Sequence, residues 1–111
     1  MQDTVILINS QFLGKGDETL GEALLENFFT HLKQNKEMPR ALFFINSGVF
    51  ALTNQSLASL HIKELYNKGI PILACKTCVD YYGIENELTS GDISSMSELI
   101  DLAKQYKVIT L

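Results

Sequence analysis

Short apolar runs alternate with amphipathic segments from one end of the chain to the other, and this alternation restricts the fold more than any other feature of the sequence. The runs are rich in β-branched and aromatic side chains and cover residues 4–8, 41–45, 70–74 and 107–111. Runs this short have the length of single strands. Strands that alternate with helices predict a parallel sheet with helices on both faces. We therefore expect a three-layer α/β/α fold with a mostly parallel sheet of four or five strands.

Each of the three main predicted helices has apolar residues at three- and four-residue spacing, which predicts one buried face per helix. The first helix has Asp17 as its candidate N-cap, and its predicted buried stripe is Leu20, Ala23, Leu24, Asn27, Phe28, His31 and Leu32. The second covers residues 54–68 and ends at Gly69, and its predicted inward residues are Leu57, Leu60 and Leu65. The third begins after Ser94 or Ser95 and ends near Gln105, and its predicted inward residues are Met96, Leu99, Ile100 and Ala103.

The composition fits one ordinary globular domain over residues 1–111. Apolar residues make up 46% of the chain, which is enough for a core without disulfides. The net charge of −4 argues against a nucleic-acid partner, because phosphate binding needs a basic surface. The sequence contains neither an apolar stretch long enough to span a membrane nor a secretory signal pattern. We therefore expect a cytoplasmic protein without a membrane or nucleic-acid partner.

Both cysteines of the chain, Cys75 and Cys78, fall within four residues and directly follow the predicted strand 70–74. Open α/β sheets bind ligands at the carboxyl ends of their strands. A thiol at the start of a helix also feels the positive end of the helix dipole, which favours the thiolate. In a reducing compartment, a close cysteine pair is more often catalytic, redox-active or metal-binding than structural. Cys75 and Cys78 are therefore the candidate catalytic residues.

The loops that follow the first three predicted strands should lie at one edge of the sheet, because right-handed crossovers place them there. They cover residues 9–16, 46–54 and 75–78, with a flavodoxin-like strand order as the default arrangement. The candidate pocket residues at this edge are Lys76, Asp80, Gly14, Gly16, Asn46, Ser47 and Gly48. The glycines before the first helix lack the full dinucleotide or P-loop signature, so no cofactor is predicted.

A thioredoxin-like redox site and a zinc site both fit the cysteine pair less well. A thioredoxin-like protein has Cys-x-x-Cys after an early strand and a later cis-proline, whereas Pro39 and Pro71 both precede the pair here. A zinc site needs four ligands, and neither His31 nor His61 is spaced as a partner, so no metal is predicted within the chain and only a site shared between subunits stays open. Free cysteines are often buried as small apolar residues, so a purely structural role stays open.

The segment 75–83, Cys-Lys-Thr-Cys-Val-Asp-Tyr-Tyr-Gly, resembles the DsrE/DsrF-like sulfur-relay family. The resemblance extends to segments 13–17 and 44–49 and covers nearly the whole chain. It is strongest to the DsrE-like domain of YedF-type, sulfurtransferase-like proteins of selenium metabolism. Lys76 stands where those relatives commonly have Gly, and their small TusA-like domain is not present in this sequence.

The resemblance implies a DsrE-like α/β/α fold, self-association into oligomers and, in some relatives, a cysteine persulfide whose sulfur passes to a partner thiol. By its position before Gly83, Cys75 matches the relatives' acceptor cysteine, and Cys78 would be a second or resolving thiol. A separate TusA-like carrier, or another persulfide donor or acceptor protein, would then be the partner.

Three hypotheses follow for the function. The first is a cytoplasmic sulfur carrier, sulfurtransferase-like, that needs no cofactor and holds sulfane sulfur on Cys75. The second is a non-catalytic oligomeric binding module in which both cysteines are structural. The third is a dithiol switch with a reversible disulfide between Cys75 and Cys78.

Overall fold

The computed structural model describes all 111 residues and contains one five-stranded sheet. The strands are β1 (Thr4–Ile8), β2 (Ala41–Phe44), β3 (Ile72–Cys75), β4 (Asp92–Ser94) and β5 (Lys107–Thr110). All four neighbouring pairs are parallel. The predicted α/β fold with a parallel sheet is therefore confirmed, and the four apolar runs identified from the sequence each supply one strand.

The strand order is β4-β3-β2-β1-β5, which differs from the flavodoxin-like order expected by default. The first four strands are laid down in one direction, and β5 returns to the free side of β1. The sequence analysis also missed β4, because three residues in a polar stretch carry no strand periodicity. β4 is held by backbone pairing to β3 and exposes two of its three side chains.

The main helices are α1 (Glu18–Leu32), α2 (Ser59–Asn67), α3 (Lys76–Tyr82) and α4 (Met96–Gln105), and a 3₁₀ helix covers Asn46–Leu52. The expected N-caps are present: Asp17 Oδ1 accepts from Leu20 N at 2.8 Å, and Ser95 Oγ accepts from Glu98 N at 3.1 Å. These bonds satisfy N–H groups that would otherwise be unpaired at the helix starts. Gly69 follows the last turn of α2 in a left-handed conformation, as expected.

Two apolar clusters pack on opposite faces of the sheet. In the larger cluster, side chains of α1, α2 and α3 pack against one face of the sheet, where the strands contribute every second residue, among them Ile6, Leu42 and Ile72. The smaller consists of Val5, Ala41, Phe43 and Cys75, and α4 contributes Leu99 and Leu102 at its margin. One face therefore carries three helices and the other carries α4 alone, as right-handed crossovers require for this strand order.

The predicted buried faces of three helices need correction. In α1 the buried stripe is Gly21, Leu25, Phe29 and Leu32, whereas Leu20, Ala23, Leu24, Asn27 and His31 are exposed and Phe28 is half-buried. α2 begins at Ser59 rather than near residue 54, so Leu57 precedes the helix and is exposed. Within α2 Leu65 is buried as predicted, whereas Leu60 is exposed. In α4 no residue is fully buried, and Met96, Ile100 and Ala103 are exposed. The reason is shared: these segments have apolar residues on two sides, and periodicity alone does not select the side that meets the sheet.

The helices of this structure are too short or too polar for any of them to cross a membrane.

Candidate functional site

The carboxyl ends of β1, β2 and β3 lie side by side, so the loops after these strands meet at one edge of the sheet as expected. Gly48 brings the second of these loops against the first. A Cβ at Gly48 would lie 2.2 Å from the Ile8 carbonyl oxygen and 3.2 Å from Ser10 N. Only glycine leaves room for this contact, which places the start of the 3₁₀ helix directly over the end of β1.

The two cysteines occupy different environments. Cys75 is the last residue of β3 and occupies the N-cap position of α3. It belongs to the smaller apolar cluster and is only 3% exposed. Cys78 lies in the first turn of α3, is half-buried and contacts both apolar clusters. Cys78 also lines an open pocket of about 380 Å³ together with Asn46, Thr77, Tyr81 and Tyr82. Of the two thiols, the structure therefore places only Cys78 in a pocket that a ligand can enter.

Asn46 connects the end of β2 to the Cys78 thiol. Its backbone N–H donates a hydrogen bond to Cys78 Sγ at 3.1 Å. Its side-chain Oδ1 accepts from Ser47 N at 2.8 Å and from the Tyr82 hydroxyl at 3.1 Å. An N–H aimed at a sulfur stabilises the sulfur when it carries negative charge.

An aromatic wall forms one side of the pocket. The ring centroids of Tyr82 and Phe50 lie 4.5 Å apart, and those of Tyr82 and Tyr81 lie 5.3 Å apart. Tyr81 is 84% exposed, so most of its surface is left uncovered by the rest of the chain. Neither tyrosine nor Thr77 was among the pocket residues predicted from the sequence. The spacing of the tyrosines could have identified them, because residues three and four positions after Cys78 lie on the same side of a helix as Cys78.

The electrostatics of the site differ from those expected for an activated thiol. Burial is the largest influence on Cys78 and raises the pKa of its thiol, and the neighbouring Cys75 thiol acts in the same direction. The Asn46 N–H opposes both by stabilising the thiolate. Lys76 gives no comparable help, because its ammonium group is exposed and pairs with Asp80 at 2.6 Å. This ion pair raises the pKa of Lys76.

The remaining predicted pocket residues fall into two groups. Ser47 and Gly48 are at the site, where Ser47 N bonds the Asn46 side chain and Gly48 N bonds the Ile45 carbonyl. Gly14 and Gly16 are exposed residues with positive φ that have no atom near the position of an added Cβ, and neither lines the Cys78 pocket.

Nowhere in the structure do three His, Cys, Asp or Glu side chains lie close enough together to hold a metal ion. His61 contacts Glu26 and Thr30 between α1 and α2, and the cysteine pair is not part of this contact.

The fold and the site together define a class: an α/β protein with a parallel sheet that presents a thiol pocket at the carboxyl ends of its strands. Within that class, the chain belongs to the DsrE/DsrF-like family, whose family model matches residues 5–111. This family is generally associated with sulfur relay. The resemblance noted in the sequence is thereby confirmed for the family.

Two solved structures are similar to the chain over nearly its whole length. The crystal structure of the YchN protein from E. coli matches with 24% sequence identity and a TM-score of 0.73, covering 100% of both chains. MTH1491 from Methanobacterium thermoautotrophicum, described as a protein of unknown function, matches with 18% identity and a TM-score of 0.64, covering 97% of both chains. At these identities the comparisons show the fold. Among curated proteins, no match to the sequence was found.

Proposed function

We propose that this protein is a sulfur carrier that accepts sulfane sulfur as a persulfide on Cys78 and passes it to a partner thiol. The observation that supports this most directly is the Cys78 sulfur in an open pocket with the Asn46 N–H 3.1 Å away. Membership of a sulfur-relay family supports the same chemistry. A cysteine is sufficient for this reaction, so the proposal includes no cofactor.

The proposal exchanges the roles that the sequence resemblance implied for the two cysteines. Cys75 is only 3% exposed and lies in the apolar cluster on the face of the sheet that α4 covers. A donor molecule therefore cannot reach it without local opening. Cys78 is half-buried beside the pocket. We therefore assign the acceptor role to Cys78 and the role of second thiol to Cys75, with Asn46 supplying a hydrogen bond at the reacting sulfur.

The transfer is a balanced exchange between sulfur atoms. The Cys78 thiolate attacks the outer sulfur of a donor persulfide, a new S–S bond forms, and the donor's S–S bond breaks. The donor leaves as a thiolate and takes up the proton that Cys78 released, so no oxidant or reductant is consumed. In the second step an acceptor thiolate attacks the outer sulfur on Cys78 and displaces the Cys78 thiolate.

Cys75 offers a second way to discharge the sulfur. Its thiol is close enough to that of Cys78 to raise the pKa of Cys78. Attack of the Cys75 thiolate on the Cys78 sulfur would displace hydrosulfide and leave a disulfide between the two residues, which an external dithiol would then reduce. The proximity of the two thiols also supports the second candidate function, a dithiol switch, in which an external disulfide oxidises the pair by thiol–disulfide exchange and is itself reduced to two thiols.

Protein partners form the other part of the proposal. The pocket surface is dominated by aromatic and apolar groups, and Lys76, which precedes the pocket residue Thr77 in the chain, is already paired with Asp80. This surface suits a persulfide carried on a polypeptide better than a small anion. A TusA-like carrier protein is the proposed donor or acceptor, in the reducing cytoplasm, where both cysteines stay free.

Self-association is proposed as well. Exposed apolar side chains are found on three helices, in the segment just before α2 and on the edge strand β5: Leu20, Leu24, Leu57, Leu60, Met96, Ile100, Val108 and Ile109. Apolar patches of this kind mark interaction surfaces in many proteins. The test is sedimentation velocity on Ile100→Asp, with Ser97→Asp on the same helix as the charge-matched control. Dissociation of the first variant alone supports a homo-oligomer that uses α4, and a wild-type monomer refutes self-association.

The carrier hypothesis is tested by loading the protein with glutathione persulfide and measuring its intact mass. Wild type and Cys75→Ser should gain the mass of one sulfur atom, and Cys78→Ser should not. Loading of Cys78→Ser with failure of Cys75→Ser would return the acceptor role to Cys75. Loading of neither wild type nor variants would refute the carrier hypothesis, and a reversible loss of two hydrogens in wild type would then indicate the dithiol switch.

A further inference from the structure

Asn46 has an unusual backbone conformation at the pocket. It is the only non-glycine residue of the chain with a positive φ, 51°. This left-handed conformation is unfavourable for most residues with a Cβ, and Asn tolerates it better than most of them because its side chain can hydrogen-bond the local backbone. In this conformation the Asn46 backbone N–H donates to Cys78 Sγ at 3.1 Å.

The contacts that hold this conformation converge on the Asn46 side chain. Oδ1 accepts one hydrogen bond from Ser47 N at 2.8 Å and another from the Tyr82 hydroxyl at 3.1 Å. Tyr82 is itself fixed, because its ring packs between Phe50 and Tyr81. The hydroxyl therefore connects α3, which carries Cys78, to the loop that carries the N–H donor.

We propose that Tyr82 is a positioning residue whose hydroxyl holds Asn46 in the left-handed conformation, so that the Asn46 N–H stabilises the thiolate of Cys78. The role in sulfur transfer rests on the proposed function, whereas the effect on the acidity of Cys78 does not depend on it. In the absence of a cation at the sulfur, this N–H is the one hydrogen-bond donor that the structure directs at Cys78 from another segment of the chain. Without it, burial and the Cys75 thiol would both oppose ionisation.

The proposal separates the role of the Asn46 backbone from that of its side chain. Glycine adopts a positive φ without strain and retains the N–H, so Asn46→Gly should keep most of the effect. Alanine retains the N–H but disfavours the conformation that directs it at Cys78, so Asn46→Ala should lose the effect. Tyr82→Phe removes only the hydroxyl and keeps the aromatic packing. Tyr81→Phe is the matched control, because the Tyr81 hydroxyl makes no hydrogen bond to Asn46.

The experiment is the pH profile of iodoacetamide alkylation at Cys78 in the full chain, followed by peptide mass spectrometry. We expect Tyr82→Phe and Asn46→Ala to shift the profile to higher pH and to slow alkylation at pH 8 by about tenfold, the effect of losing a hydrogen bond to a charged group. Asn46→Gly should stay within about threefold of wild type, and Tyr81→Phe should match wild type.

Two results would overturn the inference: a Tyr82→Phe profile that coincides with that of Tyr81→Phe, or equal losses in Asn46→Gly and Asn46→Ala. Persulfide loading of the same proteins keeps this inference separate from the carrier hypothesis. If wild type takes up sulfur while the Tyr82→Phe profile is unchanged, only the positioning role fails. If the profiles shift as expected but wild type takes up no sulfur, the carrier hypothesis fails and the positioning of Asn46 stands.

Discussion

Gly48 is the residue at which a single added methyl group should disturb the whole functional edge. In Gly48→Ala the new Cβ would lie 2.2 Å from the Ile8 carbonyl oxygen and 3.0 Å from the Ile8 carbonyl carbon. Both are backbone atoms, so no side chain can rotate away. The same Ile8 oxygen accepts the bond from Ile45 N at 3.0 Å that aligns the ends of β1 and β2. Relief of the clash therefore weakens strand pairing beside Asn46.

The magnitude follows from these two effects. Overpacking a tight site costs about 1–3 kcal/mol, and weakening one buried backbone hydrogen bond adds about 1 kcal/mol. We expect Gly48→Ala to lower the free energy of unfolding by about 2–4 kcal/mol. For a domain of this size each kcal/mol corresponds to roughly 4 °C, so Tm should fall by about 8–16 °C.

The assay is thermal and urea unfolding followed by far-UV circular dichroism. The control is Gly14→Ala, at a glycine that has a positive φ but no atom within 4 Å of the added Cβ. That variant should lose only about 1 kcal/mol, the cost of the backbone conformation. If Gly48→Ala were no less stable than Gly14→Ala, the argument that the Ile8 contact requires glycine would be refuted.

Three further predictions concern the thiol, the lysine beside it and the buried face of α1. Because burial raises the pKa of Cys78, its alkylation should reach half its maximal rate above the ordinary thiol value of about 8.5. The contribution of this thiol to the free energy of unfolding should be present below about pH 8.5, the ordinary thiol pKa. It should decline as the pH rises through the folded pKa, because the folded state then retains a proton that the unfolded state has lost. A midpoint near or below pH 7 would contradict this. Lys76→Ala should leave the Cys78 alkylation profile unchanged, because Asp80 already pairs with the ammonium group, and a shift to higher pH would show that the lysine acts on the thiol. Leu25→Ala should lower the free energy of unfolding by about 2–5 kcal/mol, whereas Leu24→Ala, at a residue 40% exposed, should cost under about 1 kcal/mol, and equal losses in urea unfolding would contradict the assigned face.

Local sequence signals predicted the elements well where one side chain or one run determines the structure. Asp17 and Ser95 cap their helices as expected, because a short polar side chain before a helix satisfies N–H groups that have no other partner. The strand at residues 4–8 was predicted with its observed bounds. Its β-branched apolar run suits a strand covered on both faces. β4 was missed because its pairing comes from the backbone and leaves little trace in its side chains.

The candidate site was predicted in part. Sequence spacing identified the cysteine pair and the Asn46–Gly48 segment, and parallel topology correctly predicted that their loops share an edge. The different exposures of Cys75 and Cys78 could not be predicted, because they depend on which side of β3 and α3 each residue takes. The hydroxyl of Tyr82 contacts Asn46, 36 residues earlier in the chain, and no local pattern indicates that contact.

The sequence by itself determined the class of fold, the helix caps and the concentration of chemistry at one edge, because these depend on residues close together in the chain. The tertiary structure decided the strand order, the buried faces of the helices and the environments of the two thiols. α1 shows why: it has apolar residues on two sides, and only packing against β1 and β2 selects Leu25 and Phe29 over Leu20 and Leu24. The same holds for Asn46, whose side chain accepts a hydrogen bond from a hydroxyl that folding brings to it from α3.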